Sequence, residues 1–495
     1  MTQDLPGKPT SRDIVLSPAS GQKAEGSSGF DLAREPLEVA AQRAAELFVS
    51  ITRSLETRRV APAATRPALR GRFAGTLGEN GIGLLNVLDE FERAILPDCM
   101  TTPHPLYLGL VNSSPLPGAA LADLLISTLN NNGGAFHQSP AFTACEEEVV
   151  RLFLDLFGFP AGADGMILPG GSFANLQALV LARSRAFPDG ELRKPRIYTS
   201  EAAHFSVTRS AIIAGIPPAG VVAIPTRGRD EMIPEALGER IRTDRSEGAI
   251  PVAVVATAGT TGTGAIDPLA EIADICAQER IWFHVDACYG GAAILTGALR
   301  LRLAGIERAD SIAVDPHKWF FIPVTAALLL TRQREEGERV FATRAGSYIP
   351  ADGVLDAWQR GMPTSRRSSG LAVWMGLRAH GLAVVREAVE RNIELMRLLD
   401  KLLAERGFRV LGGGELSICC ARFEPSGRSE AELDELQTRI TAKVVESGTA
   451  WFSTVLHAGQ IWLRFNLVNL HTREEHIHRL ADCVDQAART ITGAD

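Results

Sequence analysis

Residues 311–321 read SIAVDPHKWFF, and how the first four are taken decides the fold. Ser311–Val314 is a short apolar run stopped by Asp315 and Pro316. A run of that length without polar alternation suits a strand covered by helices on both faces. The same unit recurs on either side. Candidate strands are Arg196–Thr199, Val221–Ile224, Pro251–Thr257, Ile281–Val285, Ser311–Val314 and Thr325–Leu330. Helical patterns at Phe173–Ala186, Pro234–Arg242 and Leu269–Gln278 separate most of them. Strands interleaved with helices predict an α/β fold whose large domain, residues 115–375, is a mostly parallel sheet. Ligands of such sheets sit beyond the carboxyl ends of strands, so chemistry is sought there.

The flanks read differently. Residues 1–34 are rich in Gly, Ser, Pro and Lys and predict a disordered leader. Residues 35–114 predict a helical arm, with one helix from Glu35 to about Arg59, a Pro/Ala break at 61–68, and another from Gly83 to Leu96. Such an arm is too thin for its own core and needs a surface to dock on. Residues 376–495 carry a long helical pattern, strand-like runs at Phe408–Leu411 and Leu416–Phe423, a hairpin around His457–Gln460 and a final helix. That predicts a small α+β domain.

Bulk numbers narrow the function. The chain has 495 residues, 45% hydrophobic and 22% charged, as in an ordinary globular protein. A formal charge of −7 speaks against nucleic acid as the main partner. No apolar run is long enough to span a bilayer. Seven cysteines, at 99, 145, 276, 288, 419, 420 and 483, are scattered and form no Cys-x-x-Cys pair. They read as reduced thiols, and with the polar amino terminus they predict a cytoplasmic protein.

Four clusters fall at strand ends. Lys318, in Asp315-Pro316-His317-Lys318, is followed by Trp319 and two phenylalanines. A poorly solvated lysine is expected to have a lowered pKa and to offer a neutral amine for imine formation. Asp286 closes the apolar run IWFHV, where an unpaired carboxylate is costly to bury. It calls for a cation, and a structural arginine or a protonated pyridine nitrogen would serve equally. In PGGSFANLQALVLARSRAF, residues 169–187, Gly170, Gly171 and Ser172 open a helix whose free N–H groups suit a phosphate. Serine is also an ordinary N-cap there. His204 follows the strand RIYTS and has a structural reading beside a catalytic one. Thr257, Thr260 and Thr261 add hydroxyls at another strand end, as hydrogen-bond donors or as turn residues.

In joint order and spacing these clusters resemble the group II pyridoxal-phosphate decarboxylases, which include the aromatic-L-amino-acid and glutamate decarboxylases. The resemblance covers roughly residues 100–480. It implies a type I pyridoxal-phosphate-dependent transferase fold, pyridoxal 5'-phosphate as cofactor, a homodimer, and decarboxylation of an L-amino acid to its amine. By the same resemblance Lys318 would hold the cofactor as a Schiff base and His317 would reach its phosphate. Asp286 would pair with the pyridine nitrogen, and His204 would stack on the ring. Ser172, with Gly170 and Gly171, would belong to the phosphate cradle, and Thr257 would lie near the ring. Tyr348, in AGSYIP, matches a loop tyrosine taken to return a proton after carbon dioxide leaves. Arg464, in WLRFN, matches an arginine linked in the glutamate branch to the substrate carboxylate. His104-Pro105, Asn112–Pro115, Ser139–Ala141 and Glu146 are similar to the family's substrate-side motifs.

The chain also departs from the pattern. Cys288 stands where many relatives carry an alanine against the ring, and Asp315 where some carry asparagine. Leu108 and Leu110 replace the aromatic branch's aromatics, and Asn132 and Gly134 replace bulky apolar groups. The side-chain preference therefore stays open between aromatic, aliphatic and acidic substrates. Two alternatives accompany the main reading: oxidative deamination to an aldehyde on the same fold, and a catalytically silent cofactor-binding partner subunit.

Overall fold

The computed structural model describes residues 37–343, 355–412 and 414–493. The chain forms two compact units, Met1–Thr101 with Val445–Ala450, and Thr102–Val444 with Trp451–Asp495.

In the first unit, α1 (Leu37–Arg53) is the expected amphipathic helix. The stretch read as a break instead starts α2 (Arg66–Phe73), capped by Thr65, with a proline in its first turn. Proline is tolerated there because the first N–H groups of a helix have no partner to lose. α3 (Leu84–Glu90) runs on as a wider turn over Phe91–Ile95. Arg43 ties α1 to Glu92, and Arg72 of α2 donates to Asp98 at 2.5 Å.

The second unit is built on seven strands. These are β1 (Asp164–Leu168), β2 (Pro195–Ser200), β3 (Val221–Ile224), β4 (Ile250–Thr257), β5 (Trp282–Asp286), β6 (Ser311–Val314) and β7 (Ala327–Thr331). Their order across the sheet is β1-β7-β6-β5-β4-β2-β3. All six strands read from sequence form, within a residue or two of the expected ends. β1 was not expected, because DGMIL opens with Asp-Gly and keeps only three apolar residues. The run from β3 to β6 is parallel, whereas β7 is antiparallel to both β6 and β1. No crossover helix separates β6 from β7, so the chain returns beside itself in the opposite sense.

α4 (Pro117–Leu129), α5 (Pro140–Leu156), α6 (Gly171–Ala186), α7 (Phe205–Ile213), α8 (Pro234–Ser246) and α9 (Leu269–Glu279) flank this sheet. Most strand side chains are buried on both faces, as the unbroken apolar runs require. A second, antiparallel sheet has the order β8-β9-β11-β10, from Phe408–Val410, Ile418–Phe423, Gln460–Asn466 and Ser453–His457. The 36-residue α10 (Gly370–Glu405) bridges the two sheets and bends at Gly381, whose φ of 81° suits glycine.

The register sets the site. Thr257 pairs with Asp286, and Asp286 with Ala313, so β4, β5 and β6 end at one edge. After β6 the chain is pinned by its own side chains, because Trp319, Phe320, Phe321 and Ile322 are all essentially buried. Trp319 also donates to Asn392 of α10 at 3.1 Å.

Leu328 lies on β7 with no exposed surface. Leu328→Ala should lower the stability read by urea unfolding by about 2–5 kcal/mol. An unchanged midpoint would show that β7 is not part of the packed core.

Candidate active site

A cavity of about 440 Å³ opens at the carboxyl ends of β1, β4, β5 and β6. Its walls include Gly170, Gly171, Ser172, Asn175, His204, Thr257, Asp286, Cys288, Asp315, His317 and Lys318. Ten of these, all but Asn175, are residues singled out from sequence, and the fold brings them together from separate segments. Cavities of this size hold small ligands with a few placed polar groups.

Lys318 follows the β6 strand by four residues, on a turn closed by its N–H to the Asp315 carbonyl at 2.9 Å. Its Nζ lies 2.9 Å from Asp315 Oδ2. Burial pulls the ammonium down, but the charges of Asp315 and Asp286 outweigh it and hold the pKa above the ordinary lysine value. The expected lowered pKa is therefore corrected. Two carboxylates beside one amine keep its proton on, which the apolar flanks in sequence did not reveal.

Asp286, at the end of β5, accepts from Asn175 Nδ2 at 2.9 Å and from the Cys288 N–H at 3.1 Å. Burial alone would push its carboxyl up. Lys318's charge and the bonds from Cys288 and Asn175 hold it below the ordinary value instead. Among the described residues no arginine pairs with Asp286, so the structural-arginine reading has no support here. Cys288 packs beside Gly171, and burial followed by the neighbouring carboxylates raises its thiol pKa, so the sulfur stays protonated.

His204 caps α7, its Nδ1 accepting from the Ser206 N–H at 3.3 Å and lying 2.7 Å from Ser206 Oγ. Nδ1 is therefore bare and Nε2 carries the proton. Burial lowers the imidazole pKa, which the Asp286 charge only partly offsets, so the ring is neutral at pH 7. His317 places Nδ1 2.7 Å from the Ala326 carbonyl, which makes Nδ1 the donor. Its main-chain carbonyl accepts from Ser113 at 3.1 Å.

The loop after β1 brings backbone to the same place. Gly170 has a φ of 136°, and α6 begins directly after it with its amino end at the cavity. An added Cβ at Gly171 would sit 2.5 Å from Cys288 Sγ and 2.8 Å from Asp315 Oδ2. The buried Glu146–Arg366 ion pair, at 2.6 Å, holds the end of β1. Glu146 accepts from the Ile167 N–H, and Arg366 donates to the Ile167 carbonyl.

Other sequence candidates lie elsewhere. His104 and Leu108 are buried away from the cavity wall, His104 Nδ1 accepting from the Leu106 N–H. Asn132 folds its own loop, accepting from the Gly134 and Arg366 N–H groups. Arg464 is buried and donates to the carbonyls of Thr261, Gly262 and Gly109. Thr261 is itself in the cavity wall. Tyr348 lies outside the described residues. Two contributors were not singled out beforehand, Asn175 and Asp267. Asp267 accepts from the Thr257 N–H at 2.7 Å and fixes the end of β4. A polar Asn inside the apolar helix ANLQALVLA was a legible signal, whereas Asp267 in a turn was not.

The donor set fits pyridoxal phosphate. It offers an amine for the aldehyde, a buried carboxylate for a ring cation, and a helix amino end for a phosphate. Thr257 Oγ1 and Asp315 Oδ1 are buried without a hydrogen-bond partner, as polar atoms awaiting a ligand would be.

Residues 75–422 match the family described as the pyridoxal-dependent decarboxylase conserved domain, and the chain belongs to that family. It is 34% identical over 420 residues to L-2,4-diaminobutyrate decarboxylase of Rhizobium meliloti (strain 1021), covering 84% of each chain. It is 28% identical over 472 residues to aromatic-L-amino-acid decarboxylase of Bacillus atrophaeus, covering 94% of this chain and 98% of that one. The crystal structure of mouse CSAD matches with a TM-score of 0.86 and 27% identity, over 91% of this chain and 99% of that one. The protein is a carboxy-lyase of type I fold that uses pyridoxal phosphate to convert an amino acid to its amine and carbon dioxide.

Gly171→Ala should raise the cofactor Kd by about tenfold or more, the scale of a core overpacking cost. Adding Cys288→Ala should restore part of that loss by removing one of the two clashes. Fluorescence titration with pyridoxal phosphate reads both, and unchanged affinity in the single variant would refute the close approach.

Proposed function

We propose that Lys318 carries the cofactor and that the surrounding residues divide the work of removing an α-carboxylate. The observation that carries this is Lys318 Nζ at 2.9 Å from Asp315, in a cavity that also holds the buried Asp286. When bound, pyridoxal phosphate supplies the electron sink for the bond to the departing carboxylate. Asp286 keeps a proton on the ring nitrogen, since an ionised buried carboxylate favours a cation beside it. His204, neutral and protonated on Nε2, flanks the ring. His317 and the amino end of α6 hold the phosphate, with Ser172 and Gly171 at the helix start. Asp315 receives the Lys318 ammonium whenever that amine is released.

Arg464 recognises the substrate carboxylate. Its Nη2 is buried without a partner, and no carboxylate among the described residues pairs with it. A buried, uncompensated guanidinium gains from an incoming anion. Tyr348 returns a proton to the substrate carbon. Having it with His204 favours simple amine formation over the oxygen-consuming aldehyde path.

The substrate is an aliphatic L-amino acid bearing a second amine, of the 2,4-diaminobutyrate kind. Supporting this is the 34% identity to that relative. The division into a helical arm, a large cofactor domain and a small domain from residue 376 is part of the same reading, as is a cytoplasmic setting. No helix among the described residues is long and apolar enough to cross a membrane.

The chain acts as a homodimer. On α4, Leu121, Leu124, Leu125 and Leu129 form one helical stripe, each between 47% and 65% exposed. Four leucines at that spacing suit a second copy better than water. An active species of monomer mass in light scattering would overturn this.

Purified protein loaded with cofactor should be offered 2,4-diaminobutyrate, acidic and aromatic L-amino acids in air, with amine, aldehyde and peroxide measured. Amine from diaminobutyrate without peroxide is expected, and Lys318→Ala should abolish both turnover and the borohydride-trapped adduct. Aldehyde with peroxide would overturn the product assignment. Preference for an aromatic or acidic substrate would overturn the substrate class.

A further inference from the structure

A buried line of hydrogen bonds leads from Asp286 back along the sheet. Asp286 Oδ2 accepts from Asn175 Nδ2 at 2.9 Å, and Asn175 Oδ1 lies 2.9 Å from His284 Nε2. His284 Nδ1 lies 2.8 Å from Ser311 Oγ, which accepts from Trp282 Nε1 at 2.8 Å. All five side chains are 6% exposed or less. Trp282, His284 and Asp286 alternate along β5 and so share one face. Ser311 is the β6 neighbour of His284 in register, and Asn175 reaches over from α6.

Each proton in this line has one consistent place. An ionised carboxylate only accepts, so Asn175 presents its NH₂ to Asp286 and its oxygen to His284. That oxygen also only accepts, so His284 carries its proton on Nε2. Burial pushes the His284 pKa down to about 4, so the ring is neutral near pH 7 and Nδ1 is bare. Nδ1 then accepts from the Ser311 hydroxyl, whose oxygen accepts the Trp282 N–H. Every bond therefore points toward Asp286. Nδ1 also lies 3.2 Å from the Ser311 carbonyl. Donating to it would require either a buried imidazolium or a bare Nε2. A bare Nε2 would turn the Asn175 oxygen onto the Asp286 carboxylate.

We propose that Asn175, His284, Ser311 and Trp282 are positioning residues that keep Asp286 ionised and aimed, and thereby set how firmly the cofactor's ring nitrogen holds its proton. The proposal rests on Asp286 being the group that faces that nitrogen. Besides Asn175, the groups acting on Asp286 are Lys318 and Cys288, while His204 and Asp315 share the cavity. None of these belongs to the line beyond Asn175. Asn175 Nδ2 also lies 3.4 Å from Ser206 Oγ, the partner of His204 Nδ1. A change at Ser311 therefore passes Asn175, and the double variant with Asp286→Asn separates the Asp286 branch from the Ser206 one.

The test is a pH titration of the visible absorbance of the lysine-bound cofactor in the holoenzyme. A ring nitrogen that holds its proton less firmly withdraws less charge from the lysine linkage, whose own pKa then rises. Ser311→Ala should move the midpoint up by about 0.5–1 pH unit, the scale of one hydrogen bond. Ser311→Thr, which keeps the hydroxyl, should restore it, and Asp286→Asn should move it further. Adding Ser311→Ala to Asp286→Asn should produce no additional shift, which a general loosening of the fold would not reproduce. A shift in Asp286→Asn with Ser311→Ala superimposing on the parent would overturn the line but leave Asp286 in its role. No shift in either would overturn both. Should Ser311→Ala fail to fold, Asn175→Ala is read by the same titration against the same outcomes.

Discussion

The parallel register of β4, β5 and β6 is the constraint on which the rest depends. Because Thr257, Asp286 and Ala313 are neighbours across three strands, the residues that follow each strand emerge beside one another. A slip of one residue in β5 would turn Asp286 to the other face and exchange it with Val285. Burial on both faces forbids that slip. His284, Asp286 and Trp282 already have polar partners on their face, and Val285 and Phe283 are packed in the core on theirs. The same packing that stabilises the sheet therefore fixes where charge can be placed.

Around that register the protein concentrates opposite charges in a small volume. Lys318 is drawn to Asp315, and Asp286 gains from Lys318, Asn175 and Cys288 together. Burial is unfavourable to every charge present, yet each is retained because its neighbours compensate. Gly171 belongs to the same arrangement. With Cys288 Sγ and Asp315 within 3 Å of where a Cβ would stand, any side chain there would have to displace one of them.

Much of this was legible in the sequence. The apolar runs ending at Thr257, Val285 and Val314 gave the strands of the parallel core, and the polar residues just beyond them gave most of the cavity wall. Two limits had physical causes. DGMIL is too short and too polar at its start to stand out as β1, yet it leads into the Gly170–Ser172 stretch of the cavity wall. The sign of the Lys318 shift depends on Asp315 folding back over three residues, and flanking hydrophobicity does not report that. The segment from His104 to Ser114, read as similar to a substrate-side motif, lies outside the wall of this cavity and makes hydrogen bonds behind it. Ser113 holds the His317 carbonyl, and Ser114 accepts from the Leu470 N–H. Which copy of a motif touches ligand and which supports it is a matter of long-range packing, not of local pattern.

The ion pair between Lys318 and Asp315 has a consequence for the reactivity of the amine. An ammonium is not a nucleophile, so the amine is kept chemically dormant while the carboxylate holds it. Stray aldehydes and acylating metabolites meet a charged group that does not react. The pairing thus ties the reactivity of this amine to its separation from Asp315.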